Sequence, residues 1–227
     1  RAVATGTYKP LPLRQFFVPK KDKSWRSLAV PTVRDRIVQQ ALLNILHPLF
    51  EPQFEESSFA YRPGRSHLMA VRQVDHWHRR GYDWLLDADL VDFFGNVAHP
   101  RLLAEVSERL QAKVLQKGNR SQSSPLKTES GLNQMVSELV AGWIGSGVLT
   151  AEGLILPEKG VPQGSVISPI LSNVYLDDFD ERIAETPFKL VRFADDFLVM
   201  GRSEKQLHEA RDLVAELLME MGLQLHE

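Results

Sequence analysis

The stretch VRFADDFLVM, residues 191–200, places two adjacent carboxylates, Asp195 and Asp196, between two short apolar runs. Aspartate is common in turns, because its side chain bonds its own backbone and tolerates left-handed geometry. The flanks LVRFA and FLVM, however, set this turn against the core, where neighbouring carboxylates repel and are poorly solvated. No lysine follows within eight residues, and Arg192 alternates onto the face opposite Phe193, so a divalent cation supplies the missing charge more naturally. Hard oxygen ligands without a nearby His or Cys favour Mg2+ or Mn2+ over zinc.

A metal site needs carboxylates from a second strand end, and LLDADLVDFF offers Asp87, Asp89 and Asp92. With a period of two, Asp87 and Asp89 share a face, and Asp89 is the last of them before the chain turns. If this strand lies beside the hairpin, Asp89 and Asp195 can bridge two cations about 4 Å apart, the arrangement of two-metal phosphoryl transfer. GVPQGSVISP adds two glycines, two prolines and Gln163 just ahead of a helix start. Alone it is a turn and a cap. Beside the carboxylates it suggests a backbone that a ligand can approach closely, with Gln163 as an amide hand.

The elements that must position these groups follow from pattern. LRQFFVPKKDKSWRSLAVP carries two β-rich runs around the polar turn at 20–24 and predicts a hairpin with a basic tip. Apolar residues on a helical period predict a helix over 35–50, and a second is expected over 66–80 after the loop SSFAYRPGRS. YDWLLDADL reads as a short buried strand, and Pro100 starts a helix. Residues 113–133 are polar and aperiodic and read as an insertion, followed by helices over 134–144 and 168–185. After the Asp195 hairpin, Ser203 and Gln206 form a capping box opening a helix that Gly222 stops, with a strand-like GLQLHE beyond. Hairpins mixed with helical crossovers imply an α+β fold with a mixed or antiparallel sheet and helices on one side.

At 227 residues and 43% hydrophobic content the chain can bury a real core, and the absence of cysteine excludes disulfides, thiolate metal sites and cysteine nucleophiles. No apolar run reaches the roughly 18 residues of a membrane span. The net charge of -2 conceals a division: residues 1–82 hold 14 Lys and Arg against 6 Asp and Glu, so +8, leaving -10 for residues 83–227. One half suits phosphates and the other cations.

In this order, these blocks resemble the reverse transcriptases of the group II intron lineage. KKDKSWRSLAVPTVRDRIVQQAL is similar to the family's first finger block, SSFAYRPGRS to its second, and DADLVDFFGNVAH to the palm motif with the first metal aspartate. GVPQGSVISPILSNVYLDDFD is similar to the block shaping the nucleotide pocket, and VRFADDFLVM to the Tyr/Phe-x-Asp-Asp box. Five ordered blocks are specific where a lone Asp-Asp pair is weak.

The resemblance implies a right-hand polymerase, with fingers over 1–82 and palm over 83–227, and RNA-directed DNA synthesis. Asp89, Asp195 and Asp196 would hold two Mg2+, Mn2+ being an alternative, with the Leu90 carbonyl as a further ligand. Phe94 would lie under the sugar as the gate against a 2′-hydroxyl. Lys20 and Arg26 would hold the incoming dNTP triphosphate, Gln163 and Gly164 would line its pocket, and Arg62 and Arg65 would touch the RNA template's backbone opposite a DNA primer. A cytoplasmic, prokaryotic setting is implied. Gly95 departs from an Asp usual in the family, and Ser165 from a frequent second Gly. Phe193, with FAYRPGRS, leans toward CRISPR-associated members that accompany or are fused to the spacer integrase, which makes that integrase a candidate partner. The chain begins with Arg1 and stops before the family's thumb, so it reads as a piece of something longer. A catalytically quiet palm-fold scaffold and an RNA-templated RNA polymerase are the rival readings. The complete carboxylate set argues against the first and Phe94 against the second.

Overall fold

The computed structural model describes residues 2–3, 5–19, 23–116 and 129–226. The chain folds as two compact units, each made of two sequence segments, Arg1–Phe50 with Ala98–Ser168, and Glu51–Val97 with Pro169–Glu227. Among the described residues no helix is long and apolar enough to cross a membrane.

In the first unit the predicted hairpin is present as β1 (Leu13–Pro19) and β2 (Trp25–Val30), antiparallel from Arg14↔Val30 to Pro19↔Trp25. Its sheet continues through β4 (Val148–Thr150), parallel to β1, to β5 (Gly153–Ile155). Neither of these strands is foreseen by pattern, since three residues are too few to show a period of two. Helix α1 (Val33–Phe50) packs with α4 (His99–Gln116), which pairs with α5 (Glu129–Ile144). Leu46, Leu102, Val106, Val136 and Val140 are wholly buried among them. Helices α4 and α5 run into both ends of the expected 113–133 insertion, whose remainder, 117–128, lies outside the described residues.

At the start of α1, buried Asp35 gathers donors from three segments. Tyr8 Oη and Thr32 Oγ1 each donate at 2.6 Å, and the Leu11 N–H at 3.3 Å. Burial by itself would raise this carboxyl, but those bonds and the Arg34 charge hold it below its ordinary value. Burial and the same carboxylate push the Tyr8 phenol up to about 12.

The second unit is built on the antiparallel sheet β3-β7-β6, from Trp84–Ala88, Asp196–Gly201 and Lys189–Phe193. Helix α6 (Ser168–Ala184) packs Phe179 against Phe197 at 5.1 Å, and α7 (Glu204–Glu220) lies on β3 and β7. The two helices are tied where Tyr175 Oη donates to Met221 O at 2.6 Å. Helix α2 (His67–His78) adds Ala70, Val74 and Trp77 to a cluster with Val191. Val191 and Arg192 point to opposite faces, Arg192 pairs with Asp180 of α6, and α2 adds cover at the β6 end of the other face. β3 is an edge strand with Trp84 and Leu85 more than 40% exposed, rather than the buried strand expected. The terminal strand reduces to one antiparallel bridge, Leu90↔Leu225.

Candidate active site

Strand β6 passes to β7 through Ala194 and Asp195 alone, with Phe193 paired to Asp196. Ala194 sits at φ 64°, a left-handed conformation that costs a side-chain-bearing residue about 1 kcal/mol. On the other edge of β7 the register runs from Trp84↔Gly201 to Ala88↔Phe197. Asp89 follows the last paired residue of β3 and Asp196 precedes its partner Phe197, so the two aspartates flank the end of that ladder, and the charge of Asp89 acts on Asp196. Asp87, two residues earlier, shares the face of Asp89. Asp196 accordingly has its carboxyl raised, first by burial and then by the negative charges of Asp89, Asp195 and Asp87. Three strand ends thus bring together the carboxylates that the sequence singled out.

The backbone of Asp89 is fixed by the bridge. Its carbonyl accepts from His226 N at 2.9 Å, and the Val91 N–H donates to Gln224 O at 2.9 Å. In such an antiparallel pair Leu90 turns its own N–H and C=O away from Leu225. The Leu90 N–H donates to Asp89 Oδ1 at 2.8 Å.

Among the described residues no three His, Cys, Asp or Glu side chains form a ready-made metal cage. The donor chemistry nevertheless fits hard divalent cations. The donors named are oxygens, and among the described residues no arginine or lysine is one of the groups that shift Asp196.

The Gln163–Gly164 loop belongs to the other unit and is held there at four points. The Ala29 N–H of β2 donates to Gln163 O at 2.7 Å, and His99 Nε2 meets Gly160 O at 2.7 Å. Ser168 Oγ donates to Pro162 O at 2.8 Å, while buried Gln39 Oε1 accepts from Ser165 Oγ at 3.0 Å and Val166 N at 3.1 Å. Gly164 has φ 107°, and a Cβ there would meet Ala29 O at 3.3 Å, so glycine is required. Ser165, the departure from a second glycine, serves this clamp through its hydroxyl.

The remaining expected residues divide. Phe94 is half-buried, edge-on to fully buried Phe93 with ring centroids 5.3 Å apart, so Phe93 serves the core and Phe94 shows a face. Arg26 is exposed on β2 opposite Val18, with no described residue bonding it. Lys20 lies outside the described residues. Arg62 corrects the expectation of a template contact: it is 7% exposed and ion-paired with Glu51. Its remaining donors go to the carbonyls of Glu51, Phe54, Glu55 and Ser58. It therefore holds its own loop. Arg65 is partly committed in the same way, to the Glu56 carboxylate and the carbonyls of Glu56 and Ser58.

The aspartate-bearing hairpin and the positioned Gln-Gly loop occur in a chain whose residues 18–227 match the reverse transcriptase (RNA-dependent DNA polymerase) family. The chain belongs to that family. This reverse transcriptase chain is 36% identical over 186 residues to Protein YkfC of Escherichia coli strain K12, covering 80% of this chain and 43% of that protein. It is 27% identical over 193 residues to the group II intron-encoded protein LtrA of Lactococcus lactis subsp. cremoris, covering 85% and 28%. It therefore spans less than half the length of these relatives. The fold is also that of apo telomerase from Candida tropicalis, at a TM-score of 0.65 and 12% identity over 96% of this chain and 44% of that one.

Two features of this reverse transcriptase chain are not evident from the sequence. Gly95 leaves room for the Asp92 carboxylate: a Cβ at residue 95 would stand where that exposed side chain now lies, and the side chain would have to turn aside. Arg192, which the sequence shows only as facing away from Phe193, is wholly buried and ion-paired with Asp180. A charged residue between two apolar ones in a strand is the signal that points to it.

Proposed function

We propose that this chain carries the catalytic centre of an RNA-directed DNA polymerase, transferring nucleotides from dNTPs to a primer 3′-hydroxyl on an RNA template. The observation that carries the reading is the convergence of Asp89, Asp195 and Asp196 at one end of β3 and β7, where the charges acting on Asp196 are all negative. Polymerases of this family use divalent metal ions, and these three carboxylates, with the Leu90 carbonyl, would hold two Mg2+ or Mn2+. Bound there, the ions would activate the 3′-hydroxyl and stabilise the leaving pyrophosphate. The carboxylates position charge and do not themselves remove a proton. Arg26, with Lys20, would bind the triphosphate through its fork, and the Gln163–Gly164 loop would border the nucleotide. Residues 1–82 would act as fingers and 83–227 as palm, labels that cut across the two compact units. A spacer integrase of a CRISPR system remains the proposed partner class.

The test is Asp195→Asn in the full-length protein. It is expected to abolish dNTP incorporation on an RNA template while circular dichroism and melting stay at wild-type values. Wild-type incorporation by that variant would sink the mechanism.

A further inference from the structure

Arg192 is a guanidinium with no exposure at all, three residues before Asp195. Its Nε donates to Asp180 Oδ1 at 2.7 Å and its Nη2 to Asp180 Oδ2, a bidentate pair with a side chain that is itself fully buried on α6. Its Nη1 donates to Asn173 Oδ1 at 3.1 Å and to the Ala194 carbonyl at 2.9 Å. Asn173 in turn donates to Ala60 O at 2.9 Å. The Arg192 backbone is held as well: its N–H donates to Ser57 O at 2.8 Å and its carbonyl accepts from Phe59 N at 2.9 Å. The segment around Ser58 is thereby laid parallel beside β6.

Stability alone explains this poorly. Desolvating a guanidinium and a carboxylate offsets most of their attraction, and apolar residues of similar volume commonly stabilise as well or better. What apolar residues cannot supply is a donor to the carbonyl of Ala194, itself the left-handed residue of the two-residue turn that ends at the paired aspartates. A turn with a positive φ at alanine persists only where its surroundings over-determine it.

We propose that Arg192, held by Asp180 and Asn173, is a positioning residue that fixes the Ala194–Asp195 turn and with it the carboxylates on the metals. The inference rests on the carboxylate reading above. In the full-length protein, Arg192→Met with Asp180→Leu removes both charges of the ion pair together. The folded double variant is expected to bind Mn2+, titrated by electron paramagnetic resonance, about tenfold more weakly, in line with the loss of one charge-assisted hydrogen bond. Its kcat should fall while the dNTP KM stays unchanged, because the nucleotide loop is held elsewhere. Wild-type Mn2+ affinity and kcat in the folded double variant would show Arg192 to be merely structural and overturn the proposal. If the double variant does not fold, Arg192→Lys keeps the charge beside Asp180 but lacks the fork, and the same two measurements decide: weaker Mn2+ binding with lower kcat supports the positioning role, and wild-type values overturn it. Asp195→Asn separates the two readings: if it too binds Mn2+ like wild type, the carboxylate assignment has failed; if it loses Mn2+ while the Arg192 variants do not, only the positioning role has.

Discussion

At the scale of single residues, charge that breaks a pattern is legible in the sequence, and what neutralises it is not. Asp195 and Asp196 stand out because two like charges interrupt an apolar hairpin, and Asp89 because it closes a strand. Arg62 looks in sequence like any basic residue near a loop, and Arg192 is marked only by its apolar strand neighbours; burial shows that the donors of both face inward. Arg62→Gln leaves the Glu51 carboxylate and several loop carbonyls without their donor, so it should cost about 3–5 kcal/mol of stability by chemical denaturation. It should leave the salt dependence of template binding unchanged, whereas exposed Arg26→Gln should raise the dNTP KM, because Arg26 is proposed to hold the triphosphate. If Phe94 is the sugar gate that the resemblance implies, Phe94→Ala should raise rNTP use relative to dNTP, measured as the ratio of kcat/KM on one template, because loss of the half-buried ring would open the space a 2′-hydroxyl needs. An unchanged ratio would remove Phe94 from the sugar gate.

At the scale of elements, long periodic helices and the two hairpins are readable, whereas β4, β5 and α3 (Phe93–Asn96) are too short to repeat anything. The way α1 holds its neighbours is also invisible in sequence, since Gln39 bonds Ser165, 126 positions away, and Asp35 bonds Leu11, 24 positions away. Gly164→Ala would force a Cβ against the Ala29 carbonyl at an unfavourable φ, so the loop should shift, the dNTP KM should rise about tenfold and the melting temperature should fall by a few degrees. Asp35 links the fold to pH. Its folded-state carboxyl lies below the ordinary value, so its contribution to stability is full above that ordinary value, near 3.8, and is lost as the pH falls through the lower folded one. The stability gap between wild type and Asp35→Asn, followed by urea unfolding, should therefore be widest above about pH 5 and close in stronger acid. A gap that widens on acidification would contradict the assignment.

At the scale of the whole molecule, the charge division seen along the sequence persists in the folded units. The Arg1–Phe50 and Ala98–Ser168 unit holds 16 Lys and Arg against 8 Asp and Glu, and the other unit 11 against 21, so +8 and -10. The unit that bears the carboxylates is thus the one whose field opposes a nucleic acid. Clustered aspartates repel phosphates over roughly a Debye length, about 10 Å at 0.1 M salt, and bound cations would reverse that sign. In EDTA, then, Asp89→Asn together with Asp195→Asn should tighten binding of a primer–template duplex to the full-length protein, measured by fluorescence anisotropy at low salt, even though incorporation is lost. Adding Mg2+ should strengthen wild-type binding more than it strengthens the double variant's, and raising the salt should narrow the difference between them. If the neutralised protein bound more weakly in EDTA, the aspartates would be stabilising the nucleic-acid complex by some route other than holding cations, and the electrostatic account of this unit would have to be abandoned.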